Sequence, residues 1–197
     1  MRLWIDFANS ECHDWRGSGV SEDWLGDPAW VEEWLRRHDL PPMDYPTPDE
    51  LRRLKQLRYL ILRMVSAYAS ESVPGPEDLI ELNRFLAEGM SIRSLTAADG
   101  SYRVESLPAG RDWRQIRAEI AASFAATLSE GEARRIRICD NSDCMWVYYD
   151  DTRNRSKRFC DDKLCGNLIK VRRFRARKKA IARGLNGSEE LNVGLAE

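Results

Sequence analysis

The chain has 197 residues, 43% of them apolar and 32% charged, a balance that excludes collagen-like, coiled-coil-only and wholly disordered chains and suits one ordinary domain, or a medium domain carrying a small module. No run of about 18 uncharged apolar residues occurs, and Met1-Arg2-Leu3-Trp4-Ile5-Asp6 lacks the apolar stretch of a secretory signal, so a soluble, cytoplasmic protein without a membrane partner is expected. The formal net charge of -1 conceals an asymmetry: residues 1–133 carry 15 Lys/Arg against 23 Asp/Glu and residues 134–183 carry 16 against 6, the pattern of an acidic body with a basic appendage for a polyanionic partner.

Along the body, Leu3 to Ala8 offers a candidate strand. Asp27 followed by Pro28 opens a helix whose Trp30, Val31, Trp34 and Leu35 share a face until Leu40-Pro41-Pro42 stops it. Thr47-Pro48-Asp49-Glu50 is a capping box, and the helix beyond it presents Leu51, Leu54, Leu57, Ile61, Val65 and Tyr68. Pro76 starts a third helix, with Leu79, Leu82, Phe85 and Leu86 inward and Gly89 as its stop. Ile92 to Thr96 and Tyr102 to Leu107 partly alternate around Asp99-Gly100, which reads as a β-hairpin. Asp112 and Gln115 cap a fourth helix carrying Ile116, Ile120, Phe124 and Leu128, closed by Gly131. The body, residues 1–133, is therefore expected to be α+β, mostly helical, with a small β-sheet.

The segment 134–184 differs in kind. Cys139 and Cys144 fall between two short strands, Arg-rich residues 150–158 form a polar loop, and Cys160 and Cys165 precede Gly166-Asn167 and a helix from about Leu168 to Arg183. On that helix Val171, Phe174 and Ile181 share one arc and cations fill the rest. Residues 185–197 are expected to form a loose tail. Two C-x4-C pairs with a fifteen-residue spacer suit tetrahedral Zn2+ held by Cys139, Cys144, Cys160 and Cys165. Four protein ligands leave no open position, so the ion would be structural, supplying folding free energy to a segment with few large apolar residues. Four unrelated buried thiols, or an iron–sulfur cluster, are the alternatives; Cys12 is read as an ordinary thiol.

Cys139-x4-Cys144, the stretch Asp151-Thr152-Arg153-Asn154-Arg155-Ser156-Lys157-Arg158-Phe159-Cys160, then Cys165-Gly166-Asn167 and Val171-Arg172-Arg173-Phe174-Arg175-Ala176-Arg177 together resemble the CGNR zinc-finger proteins. These are bacterial proteins regarded as stress-induced transcriptional regulators, with an N-terminal region called the ABATE domain, whose opening strand Leu3 to Ser10 is similar to. The resemblance implies zinc at the four matching cysteines, a treble-clef-like finger and a DNA-binding role. Leu168 stands where the family signature has arginine, so a phosphate or base contact implied for that position does not carry over to this chain.

From Lys163 to Gly184 there is no acidic residue, and this unrelieved charge suits phosphate neutralisation. The candidate nucleic-acid contacts are Arg153, Asn154, Arg155, Lys157 and Arg158 in the loop, with Asn167, Lys170, Arg172, Arg173, Arg175, Arg177, Lys178 and Lys179 along the helix. DNA is the expected partner. A protein-interaction module, or RNA stacking on Trp146, Tyr148 and Tyr149, is the competing reading. Only His13 and His38 are present, with no Gly-rich phosphate loop or nucleophile elbow, so catalysis is not expected. Trp4, Trp15, Trp24, Trp30 and Trp34 crowd the first 34 residues; they read as core, or as the wall of a small-molecule effector pocket with Asp6, Asn9, His13, Asp14 and Arg16 as its polar groups. A homodimer is a candidate assembly.

Overall fold

The computed structural model describes residues 2–70, 72–129 and 133–190. Its elements in chain order are α1 (Leu3–Ala8), β1 (Glu11–His13), β2 (Ser21–Asp23), α2 (Pro28–Arg37), α3 (Pro48–Ala69), α4 (Pro76–Leu86), β3 (Ser91–Ala98), β4 (Ser101–Pro108), α5 (Trp113–Ser129), β5 (Ile136–Ile138), β6 (Val147–Tyr149) and α6 (Asn167–Glu190). The strands pair consecutively into three separate antiparallel ribbons. The fold is α+β and mostly helical.

The first segment corrects the expectation. Leu3–Ala8 forms a short helix, not a strand, with Trp4, Ile5, Asp6, Phe7 and Ala8 all buried. A short apolar run buried on every side has no periodicity to separate the two forms. Trp4 meets Phe124 of α5 edge-on at 4.9 Å, and its Nε1 donates to Thr127 Oγ1 at 2.9 Å.

Helix α3 is the centre of the body. Thr47 Oγ1 accepts from the Glu50 N–H at 3.3 Å and Glu50 accepts from the Thr47 N–H at 2.8 Å, with Pro48 as the first helical residue. This reciprocal cap satisfies two orphan donors and contributes roughly 1 kcal/mol. Leu54, Leu57, Leu60, Ile61, Met64 and Val65 are buried, a wider arc than one stripe, because α1, α4, α5 and β5 all pack against this helix. In α4 the inward residues are Leu82 and Phe85; Leu79, expected inside, is 48% exposed. Asp112 caps α5 through the Gln115 N–H at 2.9 Å. The Gln115 side chain instead accepts from the N–H groups of Met90 and Gly110, holding the two ends of the hairpin β3–β4 against α5. That hairpin pairs Ser91 with Pro108 through to Ala98 with Ser101, and Asp99 and Gly100 both take positive φ, as a two-residue hairpin turn requires. Gly131, the expected stop of α5, lies outside the described residues.

The core does not end with the body. Ile136 of β5 and Val147 of β6 are both 1% exposed and join the same buried cluster as Trp34, Leu60 and Phe124. Beyond them a second cluster gathers Cys139, Cys144, Tyr148, Phe159 and Cys165, with Trp15, Trp146 and Ile169 packed on it. Helix α6 starts at this second cluster and runs past Gly184, where the sequence suggests an end, to Glu190. The expected tail is thus helical over residues 185–190, and residues 191–197 lie outside the described residues.

Candidate metal centre and nucleic-acid interface

The four cysteines come from two turns. After β5, Cys139 N–H donates to Trp146 O at 2.9 Å and Cys144 N–H to Asn141 O at 2.9 Å, a tight knuckle leading into β6. After the basic loop, Asp161 Oδ1 caps the N–H groups of Lys163 and Leu164, winding the turn Asp162–Gly166 that carries Cys165 into α6. The ligand atoms of Cys139, Cys144, Cys160 and Cys165 all lie within 4.8 Å of one another. Two of the separations are 3.6 Å, between Cys144 and Cys160, and 3.9 Å, between Cys160 and Cys165. Zinc–sulfur bonds of about 2.3 Å in a tetrahedron place sulfurs about 3.8 Å apart, so the donor set fits one ion. An iron–sulfur cluster divides its thiolates among separate irons and would spread them further.

The charge state supports the same reading. Hydrogen bonds from Cys144 and Cys160 push the Cys139 thiol down to about 2, while bonding to Cys139 pushes Cys144 up to about 12 and Cys160 upward as well. Cys139, Cys144 and Cys160 therefore do not all ionise against one another. A divalent cation at the centre would remove that conflict by accepting four thiolates, and its chemistry there is structural. Asn141, 0% exposed, orients the set: its Nδ2 donates to Cys165 Sγ at 3.5 Å and to Trp15 O at 2.8 Å.

A family model for ABATE, described as "Putative stress-induced transcription regulator", matches residues 1–131. The chain belongs to the ABATE family. A model for the CGNR zinc finger matches residues 135–178, which encloses all four cysteines, so the ABATE region is followed by a CGNR zinc finger with one site for a structural zinc ion. No curated protein matches the chain.

Within this finger the basic loop is built on Asp150. Its carboxylate, 0% exposed, accepts from Thr152 N–H, Thr152 Oγ1 and Lys157 N–H, and Arg135 donates to Asp150 O and Thr152 O. Burial opposes the ionised form, and the hydrogen bonds from Thr152 and Lys157 overcome it, holding the Asp150 carboxyl below its ordinary range. The loop therefore displays Arg153, Asn154 and Arg155 as exposed side chains from a fixed base, with Arg155 at φ +51°. Lys157 lies with Nζ 5.2 Å over the Tyr148 ring, and Arg158 pairs with Asp140 at 2.6 Å.

On α6, Lys170, Arg173, Arg175, Arg177, Lys178 and Lys179 are exposed, and none has an ion-pair partner among the described residues. Arg172 differs: its NH1 reaches Asp143 and its NH2 donates to Arg16 O at 2.6 Å, anchoring the helix. Asn167 donates to Lys163 O at 3.0 Å and so belongs to the helix start. Val171, Phe174 and Ile181 are 44%, 60% and 66% exposed. Trp146, Tyr148 and Tyr149 do not form an open stacking platform: Tyr148 is buried with its OH on Lys157 O, Trp146 meets Trp24 edge-on at 6.4 Å, and Arg2 covers the Tyr149 ring at 4.3 Å.

The five polar groups singled out near the N-terminus do not converge. Asp6 is bound by Arg37 at 3.1 Å and His38 at 2.8 Å. Asn9 is bound to the Val147 backbone. Asp14 caps the turn at Arg16 and Ser18, Arg16 lies over Trp15, and His13 ends β1 half-buried. Trp24, Trp30 and Trp34 form an aromatic ladder, with Trp30 and Trp34 stacked at 6.0 Å and 11°. The sequence reading missed Asn9, Asn141 and Asp150 as organisers; each is a small polar residue beside a turn, and no local pattern distinguishes it from a solvated one.

Proposed function

We infer that the chain is a zinc-stabilised DNA-binding regulator in which the finger holds α6 and the Asp150-based loop in place and the body carries the regulatory role. The observation that carries this reading is α6: six exposed cations without an acidic partner among the described residues, on an element anchored at its start by Arg172. A merely solvated face intersperses acids, whereas a phosphate-binding face does not. On this reading the protein binds and does not catalyse.

The test is titration of a labelled duplex with the full-length zinc-loaded protein at several salt concentrations. Binding should weaken steeply with salt. Arg173→Ala and Arg177→Ala should each either lower the salt slope by about one, as phosphate contacts, or cost roughly 1–3 kcal/mol for the preferred site only, as base readers. Absence of duplex binding at low salt overturns the reading. The exposed stripe of Val171, Phe174 and Ile181 favours a second reading, docking of α6 on another protein; capture that ignores salt would support it.

A further inference from the structure

A cavity of about 550 Å³ opens between the outer face of the β5–β6 ribbon, the basic loop and the end of α3. Arg137, Arg155, Ser156, Lys157 and Arg158 line it, with Asp140 as its acid. Arg158 and Asp140 neutralise each other at 2.6 Å, which leaves Arg137, Arg155 and Lys157 against the single thiolate of Cys139, a lining that stays net positive. Asp150, whose charge also acts on Arg137, is committed to the N–H groups of Thr152 and Lys157.

Two further observations concern its walls. The Arg137 Nε is buried and has no hydrogen-bond partner among the described residues. A buried N–H on a cation is costly when nothing accepts from it. Arg155, the other wall, sits in the left-handed region at φ +51°, a conformation that non-glycine residues adopt at some cost and that gathers at binding sites. Arg137 on a strand and Arg155 on a pinned loop are thus set around one polar cavity before any ligand arrives.

We propose that this cavity is the seat of one phosphate group, held by the Arg137 and Arg155 guanidiniums and Lys157. Guanidinium donors match phosphate oxygens in pairs, and Arg137 and Arg155 bring two guanidiniums to this one cavity. The phosphate can come from a nucleic-acid backbone or from a free phosphorylated molecule; the first source rests on the DNA-binding reading, the second does not.

The probe is inorganic phosphate added at constant ionic strength to the full-length zinc-loaded protein, followed at the Arg137 Nε–H resonance. A saturable shift is expected. Arg155→Gly, which suits the left-handed backbone and removes the donor, should weaken it by about tenfold or more with one zinc per chain retained. No saturable shift, or an unchanged shift in Arg155→Gly, overturns the proposal. So does loss of zinc from Arg155→Gly and Lys157→Gln with phosphate binding intact, since these cations would then serve only to balance the thiolates. A short duplex that moves the same resonance identifies the backbone as the source, and movement by free phosphate alone identifies a small ligand. If phosphate binds and the duplex does not at any salt, the DNA reading fails and the seat stands; if the duplex binds and phosphate leaves the resonance unmoved, the reverse holds.

Discussion

The side-chain amide of Asn9 pairs with the backbone of Val147 on both of its edges: Nδ2 donates to Val147 O at 2.8 Å and Oδ1 accepts from Val147 N–H at 2.9 Å. These residues are 138 positions apart and both buried. Asn9 thus takes the place of one residue of a neighbouring strand, and joins the ABATE region to the finger through buried backbone groups.

Asn9→Ala should therefore orphan a buried N–H and a buried C=O together, at about 1–3 kcal/mol for each group. Asn9→Asp should fare no better, because an oxygen would face Val147 O. Denaturant midpoints of the zinc-loaded variants measure this, and a change below about 0.5 kcal/mol would mean that water replaces the amide.

The truncation 1–133 tests the same joint from the other side. The capped helices α2, α3 and α5 carry their own start signals, so the truncated chain should still show a cooperative thermal transition. It loses the burial of Ile136 and Val147, each roughly 1.5–3 kcal/mol, so its midpoint should fall well below that of the full chain.

Zinc removal should act on the finger first. One zinc per chain is expected by elemental analysis of protein purified without added metal. Because Trp15 and Trp146 pack on the cysteine cluster, chelation should change tryptophan fluorescence. Protons compete with the ion for thiolates, so zinc should leave as pH falls and not as it rises.

Asp23 gives a pH prediction within the body. Burial raises its carboxyl, and the hydrogen bonds and charges of Arg58 and Lys55 outweigh burial, bringing it to about 2 from an ordinary 3.8. A depressed folded value contributes stability above the unfolded value and loses it as pH falls from about 4 to about 2, an effect on the order of 2 kcal/mol. The Asp23 carboxyl carbon should accordingly titrate near 2 by NMR; a midpoint near 4 would show that the Arg58 contact does not persist in solution.

Much of this was legible because the determining chemistry is local. The Thr47 box, the Asp27 cap, the Asp99-Gly100 turn and the two cysteine pairs each place their partners within a few residues. Leu3–Ala8 was misread because burial on all sides erases periodicity. The charge run from Lys163 onward identified α6 as basic but could not tell Arg172, which is tied to Asp143 and Arg16, from Arg173, which is exposed. That difference depends on which face meets the body, a contact spanning 156 positions in the case of Arg16. Leu60 and Met64 were passed over for the same reason, since only the assembled body shows that α3 is covered on more than one side.

The turn at residues 14–18 holds both ends of the finger: Trp15 O receives Asn141 and Arg16 O receives Arg172. Gly17 follows these two residues at φ +86°, where an added Cβ would lie 2.7 Å from Asp143 and 2.9 Å from Arg172. No other residue can stand there without displacing the Asp143–Arg172 pair. The bearing of the last helix is therefore set in part by five residues near the opposite terminus, and lengthening or shortening that turn by one residue would re-aim α6 while leaving every cysteine in place.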